Sequence, residues 1–234
     1  RKGMLVLTGG PGTGKTTTLN AIISIFEDLG IKTLLAAPTG RAAKRMTEIT
    51  DRESKTIHRL LEVEFQQGDM PVFRRNYRNP LECDAIVIDE MSMIDAQLFC
   101  SLLDALPLGC RIIMVGDADQ LPSVGAGNVL HDIIDAKIVP VIRLNRVFRQ
   151  AMQSLIVTNA HAIINGQKMT LDCKDGDFFF MRQHNPAAAA RLIAELYTER
   201  LPAAYGFDPK TDIQVLCPSR KRQVWFVDLI QFFV

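Results

Sequence analysis

The sequence predicts an α/β protein in which a parallel sheet is flanked by helices, and three observations lead to this prediction. Short apolar runs alternate along the chain with segments whose apolar residues recur at helical spacing, an order typical of parallel sheets. A glycine-rich turn joins the first run to the first helical segment. Polar residues follow directly after three of the runs, and we expect them to meet, because parallel strands end at one edge of the sheet.

Composition sets broad limits on the kind of protein. The chain has 234 residues, of which 47% are hydrophobic and 23% charged, as expected for a soluble globular protein of one or two domains. Its net charge of +1 gives no whole-chain electrostatic argument for nucleic acid, so any basic surface must be local. Five scattered cysteines without C-x-x-C spacing favour neither a disulfide framework nor a zinc site.

The same features favour a cytoplasmic protein with reduced cysteines. No apolar run reaches membrane-spanning length and nothing resembles a signal peptide, so we expect no membrane partner. The chain begins almost on its first strand and stops inside the apolar stretch VWFVDLIQFFV. We therefore expect both ends to be cuts through something larger.

The glycine-rich turn reads LVLTGGPGTGKTT over residues 5–17, which is the order strand, G-x-x-x-x-G-K-[ST], helix. Glycines let the backbone turn tightly and point its N–H groups inward, and the following helix adds its own unpaired donors, so the turn suits an anion. An accidental glycine-rich turn is the alternative, and the preceding strand makes it less probable. The candidate nucleotide-binding residues are Gly10, Pro11, Gly12, Thr13, Gly14, Lys15, Thr16 and Thr17. Among them, Lys15 is suited to the β and γ phosphates and Thr16 to Mg²⁺.

Apolar spacing after the turn predicts a helix that ends near residue 29, and residues 31–37 form a second strand. The following helix carries Arg41, Lys44 and Arg45. These charges indicate either a solvated helix face or a phosphate-contacting edge, and spacing alone leaves both open. Residues 54–61 predict a short helix carrying His58, which is more often structural although its imidazole could bond a phosphate.

Residues 62–78 predict an inserted β-hairpin. Apolar and polar residues alternate on both sides of QQGDMP, with a turn near Gly68. Three aromatic residues (Phe65, Phe73 and Tyr77) are interleaved with three arginines (Arg74, Arg75 and Arg78). Such a hairpin suits base stacking and phosphate contacts.

Two further strands deliver candidate catalytic groups. Asp89 and Glu90 follow the apolar strand in DAIVIDE, where Asp89 is suited to hold Mg²⁺ and Glu90 to polarise an attacking water. Residues 111–116 form the next strand, which is followed by Asp117 and Gln120. The neutral amide of Gln120 can both donate and accept, so it is suited to sense the γ-phosphate or to orient water.

The remaining chain continues the alternation. We expect a helix over 127–135 and a strand and turn over 139–150 that carry Arg143, Arg146 and Arg149. Arg149 is the candidate cation for the γ-phosphate, whereas solvated positions are a serious alternative for the other two. Beyond about residue 150, the pattern predicts helices over 151–165 and 186–200 and strands over 177–181 and 212–217, as in the beginning of a second α/β unit.

Taken in order, GGPGTGKTTT, APTGRAAKRM, TIHRLL, VIDEMSMID, VGDADQLPSVGAGNVL and LNRVFRQ resemble the motifs of the RecD-type DNA helicases of superfamily 1. The resemblance covers roughly residues 3–220. It implies a RecA-like phosphate-loop motor domain over residues 1–150, a pin formed by the 62–78 hairpin, and part of a second RecA-like domain over residues 151–234.

The resemblance also implies a function. ATP hydrolysis with Mg²⁺ would drive 5′ to 3′ translocation on single-stranded DNA and unwinding at duplex junctions, in repair or recombination in the bacterial cytoplasm, with nuclease or repair-complex subunits as possible partners. Lys15, Glu90, Gln120 and Arg149 would be catalytic, and Thr16 and Asp89 would bind the metal. The implied DNA contacts are Thr39, Gly40, Arg41, His58, Arg74 and Arg75.

Two alternatives remain beside a repair helicase. One is the helicase part of a conjugative relaxase, and the other is a nucleotide-gated binding subunit that does not unwind. A pure binding module needs no water-activating carboxylate, so Glu90 favours an enzyme. The adenine-recognising glutamine and the later motifs of the family are not in this sequence, and we expect the chain alone to bind nucleotide weakly and to unwind little or nothing.

Overall fold

The structure, a computed structural model, describes residues 3–65, 71–146, 153–173 and 175–216. The chain forms two compact units, Arg1–Phe178 and Phe179–Val234. The first unit contains the phosphate-loop motif and every strand of the described residues. The division into two RecA-like domains at residue 150 stays a prediction.

The first unit is built on a six-stranded, fully parallel sheet with the order β3-β2-β6-β7-β1-β8. The α/β fold that the alternating pattern predicts is confirmed. The order places β7 between β1 and β6, so three strands that precede candidate site residues are neighbours. The strands of this sheet are β1 Met4–Thr8, β2 Thr33–Ala37, β3 Ser54–Thr56, β6 Ala85–Ile88, β7 Arg111–Gly116 and β8 Val141–Arg143.

Helices cover both faces of the sheet. Strand residues that point to one face pack with α1 and α2, as Leu7 and Val87 do with Leu19 and Met46. Residues of the opposite register, such as Ile86, pack with α3, α4 and α5. Both faces are therefore apolar, as parallel strands require. The helices of this unit are α1 Lys15–Asp28, α2 Gly40–Thr50, α3 Ile57–Leu60, α4 Ala96–Ala105, α5 Val129–Ala136 and α6 Leu155–Ile164.

The predicted hairpin is present. Strands β4 (Val63–Phe65) and β5 (Pro71–Phe73) pair antiparallel, with Val63 opposite Phe73. The predicted turn near Gly68 lies outside the described residues. The hairpin leaves the sheet after α3 and returns to β6, so it is an insertion between two strands of the parallel sheet.

The helix predicted over residues 54–61 is wrong in its first half. Residues 54–56 form β3 at the sheet edge, where Ser54 pairs with Leu35 of β2. The helix begins only after Thr56, whose Oγ1 accepts a hydrogen bond from the Arg59 backbone N–H at 3.2 Å. This cap fixes the start of α3 and leaves the preceding residues free to extend the sheet.

Among the described residues of the second unit, the regular secondary structure is helical and lies within residues 186–205. Helix α7 (Pro186–Glu195) begins after the capping side chain of Asn185, continues through a π-helical turn at Leu196–Arg200 and ends with α8 (Leu201–Tyr205). No helix in the described part of the chain is both long and apolar enough to cross a membrane.

The strands predicted over 177–181 and 212–217 are absent from the described residues, and Cys217 itself lies outside them. Asp177 instead accepts hydrogen bonds from the first turn of α6. Phe179 and Phe180 are about half exposed, at 51% and 49%. Their apolar run predicts a strand, but the described part of this unit offers no neighbouring strand with which they could pair.

Candidate nucleotide-binding site

Three adjacent strands deliver the candidate residues to one edge of the sheet. The phosphate loop follows β1, the acid pair follows β6 and Gln120 lies in the loop after β7. Together with part of α2 they line a cavity of about 480 Å³. The cavity includes all eight candidate nucleotide-binding residues, 10–17, together with Asp89, Glu90 and Gln120. The expected convergence on one site is therefore observed, whereas the roles of the individual residues stay predictions.

The phosphate loop has the backbone of an anion site. Gly12 and Gly14 have φ values of 72° and 85°, in the left-handed region that glycine adopts without steric cost. Gly14 caps α1, and as a glycine it has no side chain that could accept from the first N–H groups of the helix. Thr13 stiffens the turn because its buried hydroxyl donates to the Gly10 carbonyl at 2.8 Å. Backbone donors and the positive end of the α1 dipole therefore face the cavity together.

Lys15 lies folded over this loop. Its Nζ donates to the Gly10 carbonyl at 3.0 Å and also to the Gly9 carbonyl. Phosphate oxygens are stronger acceptors than neutral carbonyls, so a bound nucleotide would draw the ammonium away from these partners. Thr16, the next residue of α1, is exposed at the cavity.

Asp89 and Glu90 form a partly buried acid pair. Asp89 accepts a hydrogen bond from the Glu90 backbone N–H at 2.9 Å. Burial raises the pKa of Asp89, and burial followed by the neighbouring charge of Asp89 raises the pKa of Glu90. The positive charges of Lys15 and Arg45 oppose both rises in pKa. These two carboxylates and the Thr16 hydroxyl line the same cavity and make a hard oxygen donor set, so the residues fit Mg²⁺.

Glu90 also has an unusual backbone. Its φ of 53° and ψ of 43° lie in the left-handed region, which costs a residue with a side chain about 1–2 kcal/mol. The strained residue is the second one after the buried β6, and it lines the cavity. Strained backbone persists where the surrounding structure fixes it, and it is enriched at functional sites.

Arg45 of α2 is a site residue for which the sequence left open a choice between a solvated position and a phosphate contact. It lines the cavity, and its charge acts on both carboxyl groups. Lys44 instead forms an exposed ion pair with Glu48 at 3.8 Å, as in the solvated interpretation. Helical spacing could have indicated this role of Arg45. The cavity-lining residues of α2 include Ala42, Arg45 and Ile49, which recur at intervals of three and four and so share one face of the helix.

Gln120 is tethered between the loops that follow β6 and β7. Its Oε1 accepts from the Ser92 hydroxyl at 3.4 Å, and its backbone N–H donates to the Asp117 carbonyl at 3.3 Å. Asp117 is only 3% exposed and accepts from the Asp119 N–H at 3.0 Å. Ser92 was not singled out by the sequence, although its position two residues beyond the acid pair offers a signal.

His161 reaches the phosphate loop from α6, and no sequence pattern indicates it. Its Nε2 lies 3.4 Å from the Pro11 carbonyl oxygen. Its Cε1 lies 2.9 Å from the position that a Cβ at Gly10 would occupy. Of the helix predicted over 151–165, residues 155–164 are confirmed as α6, but only the folded chain shows where this helix packs.

The predicted DNA-contacting residues lie outside the cavity lining. Thr39 caps α2, accepting from the Ala42 N–H at 3.2 Å, and Gly40 begins that helix. Arg41 is exposed on the same turn. These three residues follow β2, the neighbour of β6, so they lie along the same sheet edge as the acid pair.

His58 of α3 and the two hairpin arginines predicted to contact DNA already have protein partners. The His58 ring lies 5.9 Å from the Phe73 ring, in a tilted arrangement. Arg74 pairs with Glu64, and Arg75 pairs with Glu62 at 2.8 Å. Their contact with DNA stays a prediction. Arg149, the predicted γ-phosphate cation, lies outside the described residues.

Comparisons with known proteins show which family this chain matches and which proteins it is similar to. The model of a family described as an AAA domain matches residues 1–126. The chain is 40% identical over 219 residues to an ATP-dependent RecD2 DNA helicase of Deinococcus radiodurans, covering 93% of this chain and 28% of that protein. It is 40% identical over 159 residues to the RecBCD enzyme subunit RecD of Mycobacterium tuberculosis, covering 57% of this chain and 27% of the subunit.

A solved structure gives the same fold. The Pif1 helicase from Candida albicans superimposes with a TM-score of 0.53 at 22% identity, covering 82% of this chain and 51% of that one. At this identity the likeness concerns the fold alone. The chain spans little more than a quarter of the length of the two RecD relatives.

Proposed function

The chain belongs to the AAA domain family and is of the RecD type, and from that premise we propose that it is part of the motor of an ATP-dependent DNA helicase. The motor binds ATP with Mg²⁺ and hydrolyses it in the cavity between the phosphate loop and the acid pair. Hydrolysis drives 5′ to 3′ movement along single-stranded DNA and unwinding at duplex junctions. The protein acts in DNA repair or recombination in the bacterial cytoplasm.

One observation carries the proposal: Lys15, Thr16, Asp89, Glu90 and Gln120 line a single cavity at the carboxyl edge of a parallel sheet. Open α/β sheets bind ligands at this edge. A cation, a hydroxyl, two carboxylates and an amide are the groups that phosphoryl transfer from a nucleotide requires. A glycine-rich turn without the neighbouring carboxylates and amide would support nucleotide binding at most.

Each residue has a role that follows from its chemistry and position. The loop N–H groups and Lys15 bind the phosphates, and Thr16 and Asp89 hold Mg²⁺, which supplies charge neutralisation when it is bound. Glu90 accepts the proton of the attacking water. Gln120 joins the loops after β6 and β7, so a change at the γ-phosphate reaches both loops.

The DNA-contacting surface is proposed on the same edge. Thr39, Gly40 and Arg41 follow β2, one strand from the acid pair, so a strand of DNA lying there is close to the nucleotide. The β4–β5 hairpin acts as the pin at the duplex junction. Arg149 contacts the γ-phosphate, and RecD-like proteins suggest a nuclease or repair-complex subunit as a partner.

The test is nucleotide binding and hydrolysis by the chain. A fluorescent ATP analogue with Mg²⁺ is titrated against the wild type and Lys15→Ala, and hydrolysis is measured with and without oligo-dT. We expect Lys15→Ala to abolish binding and hydrolysis, and oligo-dT to stimulate the wild type. Lys32→Ala is the control, because Lys32 pairs with Glu82 on the exposed surface. Equal binding by the wild type and Lys15→Ala would contradict the proposal, and hydrolysis that DNA does not affect would refute the motor role.

A further inference from the structure

The phosphate loop is supported from an unexpected direction, by helix α6. This helix lies 150 residues further along the sequence, yet it places the His161 imidazole directly against the turn formed by Gly10 and Pro11. A Cβ at Gly10 would lie 2.9 Å from His161 Cε1, closer than real Cβ contacts. The ring therefore occupies the space that a side chain at residue 10 would need.

The contact is polar as well as steric. The Nε2 atom lies 3.4 Å from the Pro11 carbonyl oxygen, at the long end of hydrogen-bond distances. A carbonyl can only accept, so the ring must carry its proton on Nε2 to make this bond. Pro11 lies in the turn whose backbone must bend around a phosphate, and a bond to its carbonyl restrains the conformation of that turn.

Helix α6 is firmly anchored, which makes it an effective support. Ser154 caps it by accepting from the Val157 N–H at 3.2 Å, and Asp177 accepts from the Leu155 N–H at 2.8 Å. On the same helix Asn159, which is 4% exposed, exchanges two hydrogen bonds with the Thr170 backbone at 2.8 and 2.9 Å. These bonds fix both the start and the middle of the helix.

We propose that His161 is a positioning residue of the nucleotide site, which holds the Gly10–Pro11 turn in its phosphate-binding conformation from helix α6. The proposal rests on the proposed function, since it concerns the same nucleotide.

The first test compares two replacements of His161 in the full chain. His161→Leu fills the space but cannot donate, whereas His161→Gln keeps an amide N–H near the position of Nε2. We expect His161→Leu to raise the Kd of a fluorescent ATP analogue by about tenfold, a typical consequence of losing one positioning contact. His161→Gln should stay within about threefold of the wild type. His131→Leu is the matched control, because His131 is exposed on α5 and pairs with Asp135.

A second test needs no nucleotide and applies even when His161→Leu does not fold. Gly10→Ala forces its methyl group against the ring, so it should lower the unfolding midpoint. His161→Ala should restore part of that loss in the double variant, because it removes the obstructing ring. The proposal predicts non-additive changes in the midpoint, which two residues without contact would not give.

The outcomes separate this inference from the function on which it rests. Loss of nucleotide binding in Lys15→Ala tests the nucleotide site itself. If the wild type binds nucleotide and His161→Leu binds equally well, His161 has no positioning role. Equal weakening by His161→Gln and His161→Leu, or additive midpoints for Gly10→Ala and His161→Ala, would overturn the proposal in the same way.

Discussion

Substitutions of Glu90 can separate the cost of its strained backbone, measured as stability, from the role of its carboxylate, measured as hydrolysis. Its φ of 53° costs about 1–2 kcal/mol for any residue with a Cβ, and glycine avoids this cost. Glycine loses about 0.5–1 kcal/mol through the greater freedom of the unfolded chain. The difference predicts that Glu90→Gly is more stable than Glu90→Gln by about 1 kcal/mol, which for a chain of this size is about 2–4 °C in Tm.

The charge of Glu90 adds a pH dependence. Burial and Asp89 raise the pKa of Glu90 above its ordinary value of 4.5, so the folded state binds this proton more tightly than the unfolded state. The ionised side chain therefore costs no stability below the ordinary pKa, and the cost develops as pH rises through the raised pKa. Glu90→Gln should match the wild type in acid and exceed its stability at neutral pH.

Calorimetry at several pH values measures the stabilities, and nucleotide titration and phosphate release measure function. Both Glu90 variants should bind ATP yet lose hydrolysis. Asp51→Gly is the matched control, because Asp51 has a φ of 54° at the exposed end of α2. It should stabilise the fold and leave hydrolysis unchanged. If Glu90→Gly is no more stable than Glu90→Gln, the reasoning from strain is refuted.

Three further substitutions test the buried charge of Asp89, the contribution of Arg45 to the cavity and the capping of α6 by Asp177. Asp89→Asn keeps the acceptor for the Glu90 N–H but removes a partly buried negative charge whose pKa is raised. Calorimetry at neutral pH should therefore show a higher Tm, while Mg²⁺-dependent hydrolysis is lost. A lower Tm would contradict this prediction. Arg45→Met should weaken binding of the fluorescent ATP analogue about tenfold, because Arg45 lines the cavity. Lys44→Met is the control and should not change binding, because Lys44 forms an exposed ion pair with Glu48. Equal affinities of the two variants would show that Arg45 does not contribute to nucleotide binding. Asp177→Ala removes the carboxylate that accepts hydrogen bonds at the start of α6, so it should lower Tm at neutral pH. The loss should be smaller in acid, because the wild-type carboxyl becomes protonated as the pH falls through its lowered pKa. An unchanged Tm would contradict the capping role.

The sheet and the phosphate site were predictable because their signals are local and periodic. Each strand of the parallel sheet except β3 is an apolar run followed by a turn, and the residues after the runs share one edge by the geometry of parallel strands. The phosphate loop is a contiguous motif in which Gly12 and Gly14 have the positive φ values that the turn requires. Sequence alone therefore brings Lys15, Asp89 and Gln120 to one edge.

Features that depend on packing between distant segments were not predictable. Nothing in the sequence says which side of α6 meets the phosphate loop, so His161 could be found only in the folded chain. The strand predicted from Phe179 and its neighbours shows the opposite error, because a short apolar run forms a strand only beside a partner strand. In the same way β3 was missed because its three residues become a strand only through pairing with β2.

Crystallisation with Mn²⁺ in place of Mg²⁺ and a non-hydrolysable ATP analogue tests the central claim most directly. The anomalous signal of Mn²⁺ locates the metal independently of the nucleotide. We predict a single peak in direct coordination distance of Thr16 Oγ1 and facing Asp89, with the phosphates against the 10–15 backbone and the Lys15 Nζ moved from the loop carbonyls to a phosphate oxygen. Nucleotide bound elsewhere on the chain, or a metal peak remote from both Thr16 and Asp89, would contradict the account.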